Sequence, residues 1–142
     1  MKKKLLILGS VVTLAIYSAS AATPPNVPVL VQNQLQQEFK GASDVKWKTT
    51  DRFYKASFSV NGQNLQAFFA TDGEFMGVSR NITFDQLPLV ISTEAFEKIK
   101  DNKLTDLFEI SSDRGTEYYM SLQNAKGKTN VYKSGGESWS RY

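Results

Sequence analysis

The segment Phe69-Ala70-Thr71-Asp72-Gly73-Glu74-Phe75 returns 63 positions later as Tyr132-Lys133-Ser134-Gly135-Gly136-Glu137-Ser138, and Asp51-Arg52 ahead of Tyr54 returns as Asp113-Arg114 ahead of Tyr118. Each copy is an aromatic strand running into a tight glycine turn. A pattern that recurs at a nearly constant offset constrains the fold more than any composition does, because each copy must be the same supersecondary unit stacked beside its twin. The unit it predicts is a helix followed by antiparallel hairpins, present twice.

The first 21 residues read as an export signal: Lys2, Lys3 and Lys4, an apolar run from Leu5 to Ile16, and small residues at Ala19-Ser20-Ala21 where a signal peptidase cuts. That run is shorter than the roughly 20 residues a membrane span needs, so no stable membrane anchor is expected after cleavage. The leader carries three of the 17 basic residues and none of the 14 acidic ones, so the remainder is balanced at 14 against 14. The basic pI therefore belongs to the leader, and nucleic acid is not an expected partner. The chain has no Cys and no His, which removes thiolate chemistry, the commonest general base and most transition-metal sites. No stretch has the ligand spacing of a calcium loop, so neither a metal nor a cofactor is expected.

Residues 22–27, with Pro24 and Pro25, form a linker. Pro28 to Lys40 reads as a helix capped by Asn26 and ended by Gly41, with Val27, Val31, Leu35 and Phe39 as its apolar stripe. Strands are expected over 44–50, 53–60, 63–71 and 74–80, joined at Asn61-Gly62 and Asp72-Gly73. If both turns are two-residue loops, Tyr54, Phe69 and Met76 share one row and Ala56, Ala67 and Val78 the next, all on the helix side. Thr83 and Gln86 resemble a capping box, followed by a helix to about Lys100 with Leu89, Phe96 and Ile99 as apolar positions. Strands are expected again over 104–112, 116–123, 128–134 and 137–142, with an Ala125-Lys126-Gly127 loop setting Met120 opposite Tyr132 and a Gly135-Gly136 turn setting Tyr132 opposite Trp139.

On the opposite face the same register places Phe53, Phe68 and Phe75, an apolar cluster among polar positions and the candidate protein-binding surface. The outer face of the second repeat reads as more polar, with Glu117, Ser121 and Gln123. Trp47 and Trp139 fall at alternating strand positions and are expected to pack rather than to present a ligand platform. Gly62, Gly73, Gly127, Gly135 and Gly136 each lie between two expected strands, which a phosphate cradle does not allow. Of the carboxylates near turns, Asp72 is explained by turn chemistry, and no pair of acids is spaced for acid-base work. No catalytic residue is expected.

Phe39-Lys40-Gly41-Ala42-Ser43-Asp44-Val45-Lys46-Trp47, then Tyr54-x-Ala56-x-Phe58, Asn61-Gly62, Ala67-x-Phe69, Asp72-Gly73, Ile82 and Leu87-Pro88, resembles the PepSY-like proteins exported by Bacteroidetes-type bacteria. The resemblance spans 28–142 and implies an α+β fold like that of the beta-lactamase inhibitor protein, a tandem α-β4-α-β4 repeat (28–81 and 82–142) with both helices on one face of the sheet. The inhibitors themselves are disulfide-bonded, and this chain departs from them in having no Cys. The resemblance implies a periplasmic or secreted, non-enzymatic binding module whose partner is an envelope or secreted protein or peptide, with inhibition or regulation of a peptidase as one option. The competing expectations are a small-ligand carrier or sensor with a pocket between helices and sheet, and self-association through an open sheet edge.

Overall fold

A computed structural model describes residues 26–142; the expected signal segment and all but the end of the linker lie outside the described residues. Helix α1, Val29–Glu38, starts at Pro28, whose carbonyl accepts from the amides of Val31 and Gln32 at 3.0 and 3.2 Å. Pro28, not Asn26, holds the cap position, and no side chain caps the helix; a proline with its fixed φ can open a helix without one. The expected stripe is right: Val27, Val31 and Leu35 are buried and Phe39 packs beside them, against Ala56, Phe58, Ala67 and Phe69 of the sheet.

Four antiparallel strands follow: β1 Ser43–Thr49, β2 Phe53–Val60, β3 Gln63–Ala70 and β4 Phe75–Asn81. Asn61 (φ 49°) and Gly62 (φ 76°) make the expected two-residue turn, so Val60 faces Gln63 and the β2–β3 register runs unbroken to Phe53 opposite Ala70. The second turn differs. Ala70 N donates to Glu74 O (2.8 Å) and Gly73 N to Ala70 O (2.9 Å), so the loop is the three residues Thr71, Asp72 and Gly73, with Gly73 at φ 95°. Phe69 therefore faces Phe75, not Met76, and a bulge at Met76 restores the expected pairing of Phe68 with Gly77 and Ala67 with Val78. Asp72 keeps its predicted turn role, its Oδ1 accepting from Glu74 N at 3.0 Å.

A short 3-10 helix, Phe84–Gln86, is closed by Gln86 Oε1 accepting from Thr83 N at 2.8 Å, as the capping-box pattern predicts. Helix α2, Leu89–Ile99, buries Ile91 and Ala95, while Leu89 and Phe96, expected to face the core, are exposed. Alternative apolar positions three and four residues apart offer two overlapping faces, and Ile91 with Ala95 gives the one that sits closest to the sheet. Strands β5 Lys103–Ser112, β6 Gly115–Gln123, β7 Thr129–Ser134 and β8 Ser140–Arg141 complete the chain. Met120 faces Tyr132 as expected. Tyr132, however, faces Arg141 rather than Trp139, and β8 is only two residues long. Trp139 leaves the strand and is buried against α2, its Nε1 donating to Ile91 O (2.9 Å) and its backbone N to Glu94 Oε2 (3.0 Å). Burial of so large a side chain outweighs extending a terminal ladder by a few residues.

All eight strands form one antiparallel sheet in chain order. Ladder partners share a face: Ala67 pairs with Val78 and Val78 with Ser111, which puts Leu107, four residues from Ser111, on the side of Ala67. Both helices thus cover the same face, α1 over a core around Phe69 and α2 over one around Met120 and Leu122. Between the two cores, on this same face, Arg80 Nε meets Glu109 Oε1 at 2.6 Å across the β4–β5 ladder.

A candidate interaction face on the uncovered side of the sheet

The face away from the helices is read from the ladder. One row runs Lys48, Lys55, Phe68, Gly77; the next runs Lys46, Ser57, Gln66, Ser79, Ile110, Glu117; a third runs Asn81, Phe108, Tyr119, Lys133, Ser140. At Gly77 the row must lack a side chain, because a Cβ there would lie 2.9 Å from Ser111 O.

Of the three expected surface phenylalanines, the structure brings two together. Phe53 and Phe68 meet edge to face on the outer side, ring centroids 5.7 Å apart. Phe75 is on the other side. Its ring packs 5.6 Å from Phe69 and 5.8 Å from Phe39, in the core under α1. The cause is the three-residue loop, which moves β4 by one residue relative to β3 and so turns Phe75 inward and Met76 outward. Met76 is half exposed.

A second aromatic cluster lies on the other half of the face, where polar residues are expected. Phe108 and Tyr119 are directly opposite on β5 and β6 and stack with centroids 5.1 Å apart and planes 7° apart. Tyr142 packs edge-on to Tyr119 at 5.8 Å. Ser121, expected as part of a polar surface, is buried. The signal for Phe108 and Tyr119 was their alternation with inward Leu107 and Met120. Tyr142 carried none, since its place depends on the detour of Trp139.

Charge accompanies the second cluster. Lys133 Nζ sits 2.7 Å from Glu117 Oε1 and 5.7 Å from the centre of the Tyr119 ring, and Tyr119 donates its hydroxyl hydrogen to Glu117 Oε2 at 3.1 Å. The Lys133 hydrogen bond holds the Glu117 carboxyl below the usual range, and Glu117 in turn holds the Lys133 ammonium above it. Burial, then the bond to Glu117, pushes the Tyr119 hydroxyl up. These shifts arise within one three-member network, with the Arg114 charge adding to the lowering at Glu117.

Two open grooves mark the face. One, of about 250 Å³, lies over Lys46, Ser57, Ser59, Asn64, Gln66 and Ser79. The other, of about 490 Å³, is bordered by Met76, Ile110, Ser112, Arg114, Glu117 and Lys133. Among the described residues no group of three or more acidic, His or Cys side chains is placed to hold a metal ion. Trp47 packs 6.0 Å from Phe69 and Trp139 is buried, so both serve the core. Among the described residues no helix is long and apolar enough to cross a membrane.

The fold is that of a group of solved structures from Bacteroides. A BLIP-like protein from Bacteroides fragilis superposes with a TM-score of 0.69 at 16% identity, over 81% of this chain and 84% of that one. A DUF2874 family protein from Bacteroides uniformis gives 0.71 at 15%, over 81% and 89%. A "putative periplasmic" protein from Bacteroides eggerthii gives 0.70 at 17%, over 82% and 90%. No family model matches the sequence, and no curated protein does. At these identities the likeness establishes a BLIP-like fold and carries no activity.

Proposed function

We propose that this chain is an exported, non-enzymatic binding module of the PepSY-like kind, acting in the periplasm or outside the cell, that holds a protein or peptide on the uncovered face of its sheet. One observation carries the reading: a continuous sheet face, with no helix over it among the described residues, presents two aromatic clusters, Phe53 with Phe68 and Phe108 with Tyr119 and Tyr142. Aromatic side chains supply large contact area at low entropic cost, which is what a recognition surface needs. The two halves are read as copies of one unit, since Pro28-Val29-Leu30-Val31 corresponds to Pro88-Leu89-Val90-Ile91 and each opens a helix that four strands follow.

Recognition through the face is favoured over strand addition at an edge. Edge strand β1 is broken by a bulge and carries Lys46 and Lys48, and β8 has two residues, both of which are features that discourage pairing with another strand. A carrier with a pocket between helices and sheet finds no support in the grooves described, since none is lined by a residue of α1 or α2. An envelope peptidase is the first partner class to test, because the resemblance points there.

The test is affinity capture from the cell envelope with quantitative mass spectrometry, comparing the natural chain with Phe53→Ala/Phe68→Ala and with Phe108→Ala/Tyr119→Ala. A protein captured by the natural chain and lost with either double variant supports the reading. Equal capture by all three removes the face from consideration.

A further inference from the structure

The first strand pair of each half places two side chains directly opposite each other on the uncovered face, and the two halves fill that position differently. In β5–β6 it holds Phe108 opposite Tyr119, stacked. In β1–β2 it holds Lys48 opposite Lys55, with Lys46 in the neighbouring row opposite Ser57. Like charges directly opposite on a sheet are destabilising, and the second half shows that the fold accepts uncharged aromatics at this position. Among the described residues no carboxylate lies within 4.0 Å of Lys46, Lys48 or Lys55, and residues 1–25 contain no Asp or Glu. Asp44 borders the same groove as Lys46 without pairing to it.

The surroundings of these lysines are apolar on one side and hydrogen-bonding on the other. Lys55 faces Phe68, which meets Phe53 edge to face. Lys46 borders the groove of about 250 Å³ formed with Ser57, Ser59, Asn64 and Gln66. Three unneutralised ammonium groups, an aromatic pair and a floor of hydroxyl and amide groups fit one ligand chemistry: an extended polypeptide whose carboxylates answer the lysines, whose apolar side chain lies on the phenylalanines and whose backbone amides use the groove.

We infer that the β1–β3 part of the uncovered face takes an acidic segment of the partner, with Lys48 and Lys55 held in opposition so that the segment's carboxylates relieve their repulsion. This rests on the reading of the face as protein-binding. A sulfated or carboxylated glycan would satisfy the lysines but leave Phe53 and Phe68 without a partner, which is why the segment is taken to be polypeptide.

The test pans a phage-displayed random-peptide library on the purified protein and on its Lys48→Gln/Lys55→Gln variant, with dextran sulfate as a second probe. The expected result is enrichment of peptides rich in Asp and Glu with interspersed apolar residues. Their affinity should drop roughly tenfold in the variant and fall steeply with added salt. The variant's melting temperature should be equal or higher, because the like-charge pair is gone; a lower value would show that the lysines serve stability and would overturn the inference. So would neutral or basic enriched peptides, equal binding to the variant, or no enrichment at all. Binding of dextran sulfate alone would make the ligand a polyanion and overturn the polypeptide assignment. If affinity capture still recovers a partner that ignores the lysine substitutions, the acidic-segment inference fails while the binding-face reading stands.

Discussion

Glu117, Lys133 and Tyr119 show how much a single residue's setting decides on this face. Tyr119 is held above its ordinary value by burial and by Glu117, and Lys133 above its own by Glu117. Stability from a group whose pKa rises on folding is fully present below the unfolded value, about 10 for both, and is lost as pH climbs through the folded value. Glu117 is held low by Lys133, so its contribution is present above about pH 4.3 and is lost as pH falls through its lower folded value. The stability difference between the natural chain and Glu117→Gln should therefore be flat across the neutral range and shrink at both the alkaline and acid ends. Denaturant unfolding at stepped pH measures it, and a difference constant at every pH would show that the network has no energetic role. The residue types were legible in the sequence here, but their assembly was not: Lys133 and Glu117 are 16 positions apart and meet only through the β6–β7 ladder.

At the scale of the element, one loop residue changed the fate of Phe75. The sequence pattern Thr71-Asp72-Gly73 allows both a two-residue turn at Asp72-Gly73 and a three-residue loop ending in a left-handed glycine. The structure takes the second and then absorbs the offset in a bulge at Met76. Gly73 is itself buried, and the place of its missing Cβ is 3.3 Å from Leu30 Cδ2 of α1, so the loop is pressed under the helix. Phe75→Ala should therefore cost about 3 kcal/mol, the low end for removing a core aromatic that keeps some exposure. Phe53→Ala and Phe68→Ala should each cost about 1 kcal/mol or less, as surface changes do. Urea denaturation of the three single variants separates the cases, and a Phe75→Ala loss no larger than the other two would contradict the inward placement.

For the whole molecule the question is whether the two halves stand alone. Their cores are separate clusters, joined by the β4–β5 ladder and the Arg80–Glu109 pair. Four consecutive ladder pairs across the junction make the sheet continuous, and opening either half would expose a central strand edge. One cooperative transition is the expected outcome. Trp47 reports the first core and Trp139 the second, so fluorescence melts of Trp139→Phe and Trp47→Phe should each coincide with that variant's own far-UV circular dichroism. Midpoints that separate would show two independently folding units.

The BLIP-like class of fold entered through the family resemblance, while the sequence by itself determined the helix and strand content, the stripe of α1, the Asn61-Gly62 hairpin and the alignment of Met120 with Tyr132. These last follow from local rules: periodicity of side chains, left-handed residues at turns, and proline and glycine at helix ends. The tertiary structure alone decided which face of α2 is buried, where β8 begins and which aromatics remain outside. Each of those outcomes is a competition between an adequate local pattern and the burial of a large side chain. Trp139 is drawn out of its strand to reach Ile91, and Phe75 turns in to meet Phe39 and Phe69. A ladder position contributes about as much as one net hydrogen bond, while a buried aromatic contributes several times more, so packing overrode the register that the turn residues alone would have set.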